Sequence, residues 1–151
     1  MTQVPIVEAN GARIPQIGLG TMTLKGAEGV AAIKSALDVG YRHLDTAAVY
    51  ETEKENAEAL RQSGIKRADV FITTKIRPDD AMPDAFARKL DECLANLKVP
   101  QVDLLLIHWP SKEVPFKLTI GALCKAKKDG KTKHIGLSNF TSALANPAFR
   151  A

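Results

Sequence analysis

The chain has 151 residues, 45% of them hydrophobic and 25% charged, with a formal net charge of +4; this excludes a disordered or fibrous chain and fits one domain with a substantial core. Its one basic cluster, Lys125, Lys127, Lys128, Lys131 and Lys133, falls at the end of a predicted helix, where lysine complements the helix dipole, so no nucleic-acid partner is expected. No stretch approaches the roughly 20 apolar residues of a membrane span, and no charged-then-apolar leader opens the chain; it reads as soluble and cytoplasmic, with no membrane partner.

In chain order, Val4 to Ile17 contains two apolar-leaning pieces around Asn10-Gly11, a pair that favours a tight hairpin turn because both residues tolerate positive φ. Ile17 to Thr21 then reads as a strand. Ala27 to Val39 reads as a helix with Val30, Ile33 and Leu37 on one face, closed by Gly40. The unit repeats with strand Tyr41 to Ala47, helix Thr52 to Gln62, strand Val70 to Ile76 and a helix from Pro83 whose buried stripe is Phe86, Leu90, Leu94 and Leu97. Strand Val102 to His108, helix Leu118 to Lys128 and strand Ile135 to Phe140 complete the series, and Pro147 would shorten or abolish any further helix. Five strands separated by four helices argue for an α/β fold with a parallel sheet, either open and doubly wound or part of a closed barrel. Cys93 and Cys124 both fall on apolar-periodic positions of helices, which predicts core fillers rather than a disulfide.

Three of the apolar runs between them deliver four polar or ionisable groups: Asp45 and Tyr50 after Tyr41 to Leu44, Lys75 after Phe71 to Thr74, and His108 after Leu104 to Ile107. In parallel α/β folds, chemistry gathers at the carboxyl ends of strands. A tyrosine phenol is a poor proton donor at neutral pH unless something stabilises its phenolate. Lys75 is the available cation, Asp45 the anion that would hold it in place, and His108 a donor that could fix a carbonyl oxygen near Tyr50. Proton donation to a carbonyl oxygen has hydride delivery to its carbon as the partner reaction, and no side chain supplies hydride, so a nicotinamide or flavin is implied. Gly18-Leu19-Gly20-Thr21 offers two glycines and no third, so a Rossmann mode of binding is not supported. His43 and Asp45 share a strand face, but no His or Cys pair has zinc-site spacing, and no metal is expected.

Gly18-Leu19-Gly20-Thr21, His43-Leu44-Asp45-Thr46-Ala47 with Tyr50, Thr73-Thr74-Lys75, Asp103 to Pro110 and Gly136-Leu137-Ser138-Asn139-Phe140 together resemble the aldo-keto reductases over roughly Val4 to Thr141. The resemblance implies a partial (β/α)8 TIM barrel: a hairpin cap over 1–17, strand-helix units over 18–141 and a divergent tail over 142–151. It implies reduction of aldehydes or ketones with NADPH, the catalytic tetrad falling on Asp45, Tyr50, Lys75 and His108 with Tyr50 as general acid. Ser138 and Asn139 match the pair that holds the nicotinamide carboxamide. Gly20, Thr21 and Asp45 match positions near the nicotinamide ribose, and Trp109 matches an aromatic that lines the substrate pocket.

Two departures stand out. Glu51-Thr52-Glu53 follows Tyr50 where many relatives carry Gly-Asn-Glu. The strands beyond the fifth are absent, as an early stop or a disrupted reading frame would explain, and with them go the stacking aromatic, the loop that grips the adenosine 2′-phosphate and the substrate loop. Impaired turnover is the expectation, with a non-catalytic half-barrel that self-associates through exposed sheet edges or binds a partner as the alternative. Inward-facing Leu, Ile and Val side chains would then face water.

Overall fold

The computed structural model describes residues 4–145. β1 (Ile6–Ala9) and β2 (Ala12–Pro15) pair antiparallel around Asn10 and Gly11, whose φ values are 48° and 80°. Positive φ at both central residues supplies the twist a two-residue hairpin needs, and the hairpin forms as expected. Pro147 lies outside the described residues.

Beyond the hairpin run β3 (Leu19–Gly20), α1 (Gly26–Asp38), β4 (His43–Asp45), α2 (Glu53–Ser63), β5 (Phe71–Ile76), α3 (Pro83–Leu97), β6 (Val102–Ile107), α4 (Phe116–Lys128), β7 (Thr132–Leu137) and the single turn α5 (Ser142–Ala145). The alternation matches the sequence pattern, with β7 beginning three residues earlier than expected. Its polar start, Thr132-Lys133-His134, hides it from a search for apolar runs. In the fold, Thr132 is buried opposite Val102, and Lys133 Nζ donates to Asp103 Oδ1 at 2.7 Å, so the polar groups are satisfied without leaving the ladder.

The strands lie in the order β3-β4-β5-β6-β7, all parallel. A doubly wound sheet reverses its strand order at a switch point. Here every crossover steps one strand further in the same direction, as in a barrel wall, and this settles the alternative that the alternation of elements left open. The helices stack side by side, α1 against α2, α2 against α3 and α3 against α4.

The core lies between this helical layer and one face of the sheet. Leu44, Ile72, Ile76, Leu105 and Ile107 point outward to meet Ile33 and Leu37 of α1, Ala59 and Leu60 of α2, Phe86, Leu90, Leu94 and Leu97 of α3, and Leu123 of α4. Side chains alternate along a strand, so the intervening residues form the opposite, concave face: His43, Asp45, Phe71, Thr73, Lys75, Leu104, Leu106, His108, His134, Gly136 and Ser138. This face departs from expectation. Its bulky apolar members, Phe71, Leu104 and Leu106, are half-buried rather than exposed, and the exposed large hydrophobic residues lie outside this wall, Ile6 and Val7 on the hairpin and others, such as Ile17, Val39 and Met82, on loops and helix ends. Polar side chains and glycine make up most of the wall, which limits the apolar area it presents to water.

Cys93 is buried, as its position in the α3 stripe predicts, but Cys124 is exposed. On α4 the buried positions are Thr119, Leu123 and Ala126, and Cys124 is one residue, about 100° of helical rotation, past Leu123.

Candidate active site

The site is assembled at the carboxyl ends of β4 to β7. Asp45 is the last residue of β4, Lys75 the last but one of β5, and His108 and Ser138 directly follow β6 and β7. Tyr50 closes a short 3-10 turn, Ala48–Tyr50, that returns the chain over the end of β4.

Lys75 is the centre of the cluster. It is 6% exposed, and its ammonium donates to Asp45 Oδ1 at 2.5 Å and to the Thr46 carbonyl at 2.9 Å. A buried ammonium is tolerable only when paired in this way. The same nitrogen stands 5.1 Å from the centroid of the Tyr50 ring, within reach of the attraction between a cation and an aromatic face. His108 meets Tyr50 edge-on, with ring centroids 5.7 Å apart and planes at 80°. Residues separated by up to 63 positions in the chain are thus brought together around one phenol.

His108 is buried, and its Nδ1 has no hydrogen-bond partner among the described residues. Burial, reinforced by the charge of Lys75 and opposed by that of Asp45, holds the imidazole below its usual pKa of 6.5, so it is neutral at pH 7 and retains one ring N–H to donate. Asn139 adopts φ 63°, a left-handed conformation that asparagine tolerates. Its Nδ2 donates to the His108 carbonyl at 2.8 Å and to Ser138 Oγ at 2.9 Å. Trp109, 52% exposed, stands beyond His108 at the rim.

The candidate ribose contacts divide. Gly20 is exposed, with open space where a Cβ would stand. Thr21 is fully buried, and its hydroxyl lies 3.3 Å from the Asp45 carbonyl and 3.2 Å from Thr52 Oγ1; its side chain supports the loop from beneath. The His43 ring lies deeper in the concave face than Asp45, held by Thr73 Oγ1 at 3.0 Å and the Pro15 carbonyl at 3.4 Å. A cleft of about 670 Å³, lined by Arg13, Arg42, Asp103 and Lys133 among others, is at the opposite end of the strands. A smaller one of about 370 Å³, lined by Gly18, Gly20, His43 and Asp45, adjoins the cluster. Cleft size does not locate the chemistry here; the converging polar groups do.

Sequence reasoning missed the support beneath the cluster. Thr21, Thr46, Thr52 and Asn56 form a buried polar group linking β3, β4 and α2. The departure at Thr52 from the family pattern was the only sign of it. Glu51, the neighbouring departure, sits at φ 56°, where glycine avoids a steric cost of about 1–2 kcal/mol.

Both His43 and His108 titrate below 6.5 in the fold, burial being the main cause for each. The unfolded chain therefore binds more protons as pH drops below about 6.5, and stability falls with it. The depressed carboxyl of Asp103, where Lys133, the Ile72 amide and Arg67 outweigh the opposing effect of burial, loses its contribution only in a lower window, below its ordinary value of 3.8. Urea midpoints are expected to decline between pH 7 and pH 5, and His43→Gln should flatten part of that slope. Coincident slopes for the two proteins would contradict the assignment.

The aldo/keto reductase family model matches residues 16–148. The chain belongs to this family. It is 43% identical over 140 residues to the methylglyoxal reductase DkgB of Escherichia coli O157:H7, covering 91% of this chain and 52% of that relative. Among solved structures, an aldo/keto reductase from Brucella melitensis superposes with a TM-score of 0.92 at 41% identity, covering 98% of this chain and 59% of the other. A Bombyx mori aldo-keto reductase in complex with NADP gives 0.91 at 30% identity, covering 99% and 55%. The chain spans about half the length of the curated relatives it matches. The family match runs past Thr141, where the tail is expected to diverge. Among the described residues, no helix is long and apolar enough to cross a membrane.

Proposed function

We propose that this chain carries the proton-donating part of an NADPH-dependent reductase site that converts aldehydes or ketones to alcohols. The observation that carries the reading is the Lys75 ammonium, clamped by Asp45 and the Thr46 carbonyl and standing 5.1 Å from the Tyr50 ring centre. In this reading Tyr50 gives its phenolic proton to the substrate oxygen as negative charge develops there, and Lys75 stabilises the phenolate left behind. Asp45 keeps Lys75 in place. His108 donates its ring N–H to the same substrate oxygen and fixes it within reach of Tyr50, while Trp109 lines the entrance. A proton from solvent restores the phenol.

The cofactor's chemical contribution, when bound, is the hydride for the carbonyl carbon. The residues present fit its nicotinamide end. With Asn139 Nδ2 engaged by His108 and Ser138, the Asn139 carbonyl oxygen is left to accept and the Ser138 hydroxyl proton to donate, which is the complement of a primary carboxamide. Gly20 leaves room beside Asp45 for a ribose, and the buried Thr21 holds that loop.

Trp109 is the only tryptophan in the chain, so its emission reports on this site alone. NADPH is expected to quench it, and Ser138→Ala should raise the half-saturating concentration about fivefold, the equivalent of one hydrogen bond of roughly 1 kcal/mol. Emission indifferent to NADPH would count against the reading. Because the E. coli relative is named for methylglyoxal, that aldehyde is the first to test, and turnover slower than that of full-length relatives is expected. Self-association has in its favour only that the end strands β3 and β7 each pair on one side among the described residues, so the reductase reading stands alone here.

A further inference from the structure

Thr52 occupies the N-cap position of α2, where threonine ordinarily turns its hydroxyl to the first helical amides. It does not do so here. The side chain is fully buried, and Oγ1 lies 3.2 Å from Thr21 Oγ1 and 3.2 Å from Thr46 Oγ1. Asn56, 1% exposed and one turn further along α2, donates Nδ2 to Thr21 Oγ1 at 3.2 Å and to the Thr52 carbonyl at 2.7 Å. One arrangement gives every hydroxyl an acceptor, the last being the Asp45 carbonyl, which also accepts from the Thr21 amide at 3.0 Å. Thr46 donates to Thr52, Thr52 to Thr21, and Thr21 to Asp45 O at 3.3 Å.

This chain of hydroxyls backs one particular peptide. Asp45 and Thr46 are the two residues that bind the Lys75 ammonium, one through its carboxylate and the other through its carbonyl. Thr52 is two residues from Tyr50 and is the member of the group contributed by the Tyr50 segment. We propose that Thr52 is a positioning residue: its buried hydroxyl ties the segment bearing Tyr50 to the Asp45–Thr46 peptide that clamps Lys75, and so sets the spacing between phenol and ammonium. The forgone cap fits such a role, since a capping hydrogen bond that would stabilise the helix is given up here for one that faces the site. The proposal rests on the reductase reading for its functional meaning and on the hydrogen bonds for its geometry.

The test reads geometry without requiring turnover. The chain has two tyrosines, Tyr41 and Tyr50, so ring-labelled tyrosine gives two sets of nuclear magnetic resonance signals, and Tyr50→Phe identifies those of Tyr50. Lys75→Met removes the cation near the ring and defines the shift produced by its loss. Thr52→Val keeps the shape, removes the hydroxyl and sacrifices no cap; it should shift the Tyr50 signals in the same direction. Thr52→Ser should return them to the wild-type position. Tyr50 signals unmoved in folded Thr52→Val, or displaced equally by serine and valine, would overturn the proposal. Should Thr52→Val not fold, Thr46→Val breaks the same bond from the other partner and must produce the same shift for the proposal to stand. Failure of these experiments leaves the role of Tyr50 in reduction intact, whereas an NADPH-dependent activity indifferent to Tyr50→Phe would remove the reductase reading without touching the Thr52 geometry.

Discussion

Tyr50→Phe is expected to slow NADPH-dependent reduction of an aldehyde by about a hundredfold to ten-thousandfold, the usual contribution of a positioned general acid. The ring keeps its edge-on contact with His108 and its place beside Lys75, and only the phenolic proton is lost. Quenching of Trp109 by NADPH should therefore be unchanged within about twofold, because Ser138, Asn139 and Gly20 are untouched; half a kcal/mol is about a factor of two in affinity. A fall in rate with unchanged binding is the signature of an interaction made only in the transition state. An unaltered rate would refute the assignment of Tyr50 as acid, and a large loss of cofactor affinity would mean that the phenol serves binding instead.

The ion pair predicts an asymmetry in stability. The Lys75 side chain is 8% exposed and that of Asp45 is 40% exposed, so the two ends depend on each other unequally. Asp45→Ala strands a buried ammonium with the Thr46 carbonyl as its remaining partner. Breaking a fully buried pair costs roughly 3–5 kcal/mol; here the exposed carboxylate is partly screened by solvent, which lowers the expected loss to about 2 kcal/mol. Lys75→Met leaves a carboxylate that already reaches water, and its cost should stay below about 1 kcal/mol. Urea denaturation of both variants measures the difference, and equal midpoints would show that burial of the ammonium is not what the carboxylate offsets. Both variants should nevertheless lose most reductase activity, since each removes a member of the same electrostatic unit.

Much of this site was legible because its chemistry is written at strand ends. Asp45, Lys75 and His108 each follow an apolar run, and such runs read as strands whatever the rest of the chain does. The Asn10-Gly11 hairpin was legible for a similar reason, the turn being dictated by two residues that accept positive φ. Where a polar residue is satisfied by a distant partner, the same reading failed. Thr132-Lys133-His134 does not look like a strand until Asp103 is placed opposite Lys133. Cys124 reads as a core residue because it is apolar and near the right phase, but the stripe of α4 runs through Leu123 and Ala126. Thr52 and Asn56 look like ordinary polar residues at the start of a helix, and their engagement with Thr21 and Thr46 depends on how α2 sits against the end of β3.

Period and punctuation in the amino-acid order were enough to specify the strand-helix alternation, the faces that α1 and α3 bury and the identity of the ionisable groups, because a side chain's direction follows from local backbone geometry within a few residues. Strand order, and with it the barrel-wall arrangement, came from long-range pairing. So did the 5.1 Å between Lys75 and the Tyr50 ring, the burial of Thr21 and the direction of the Thr52 hydroxyl. Those distances join groups many residues apart, and they are set by β-ladder register and helix packing, which no local pattern encodes.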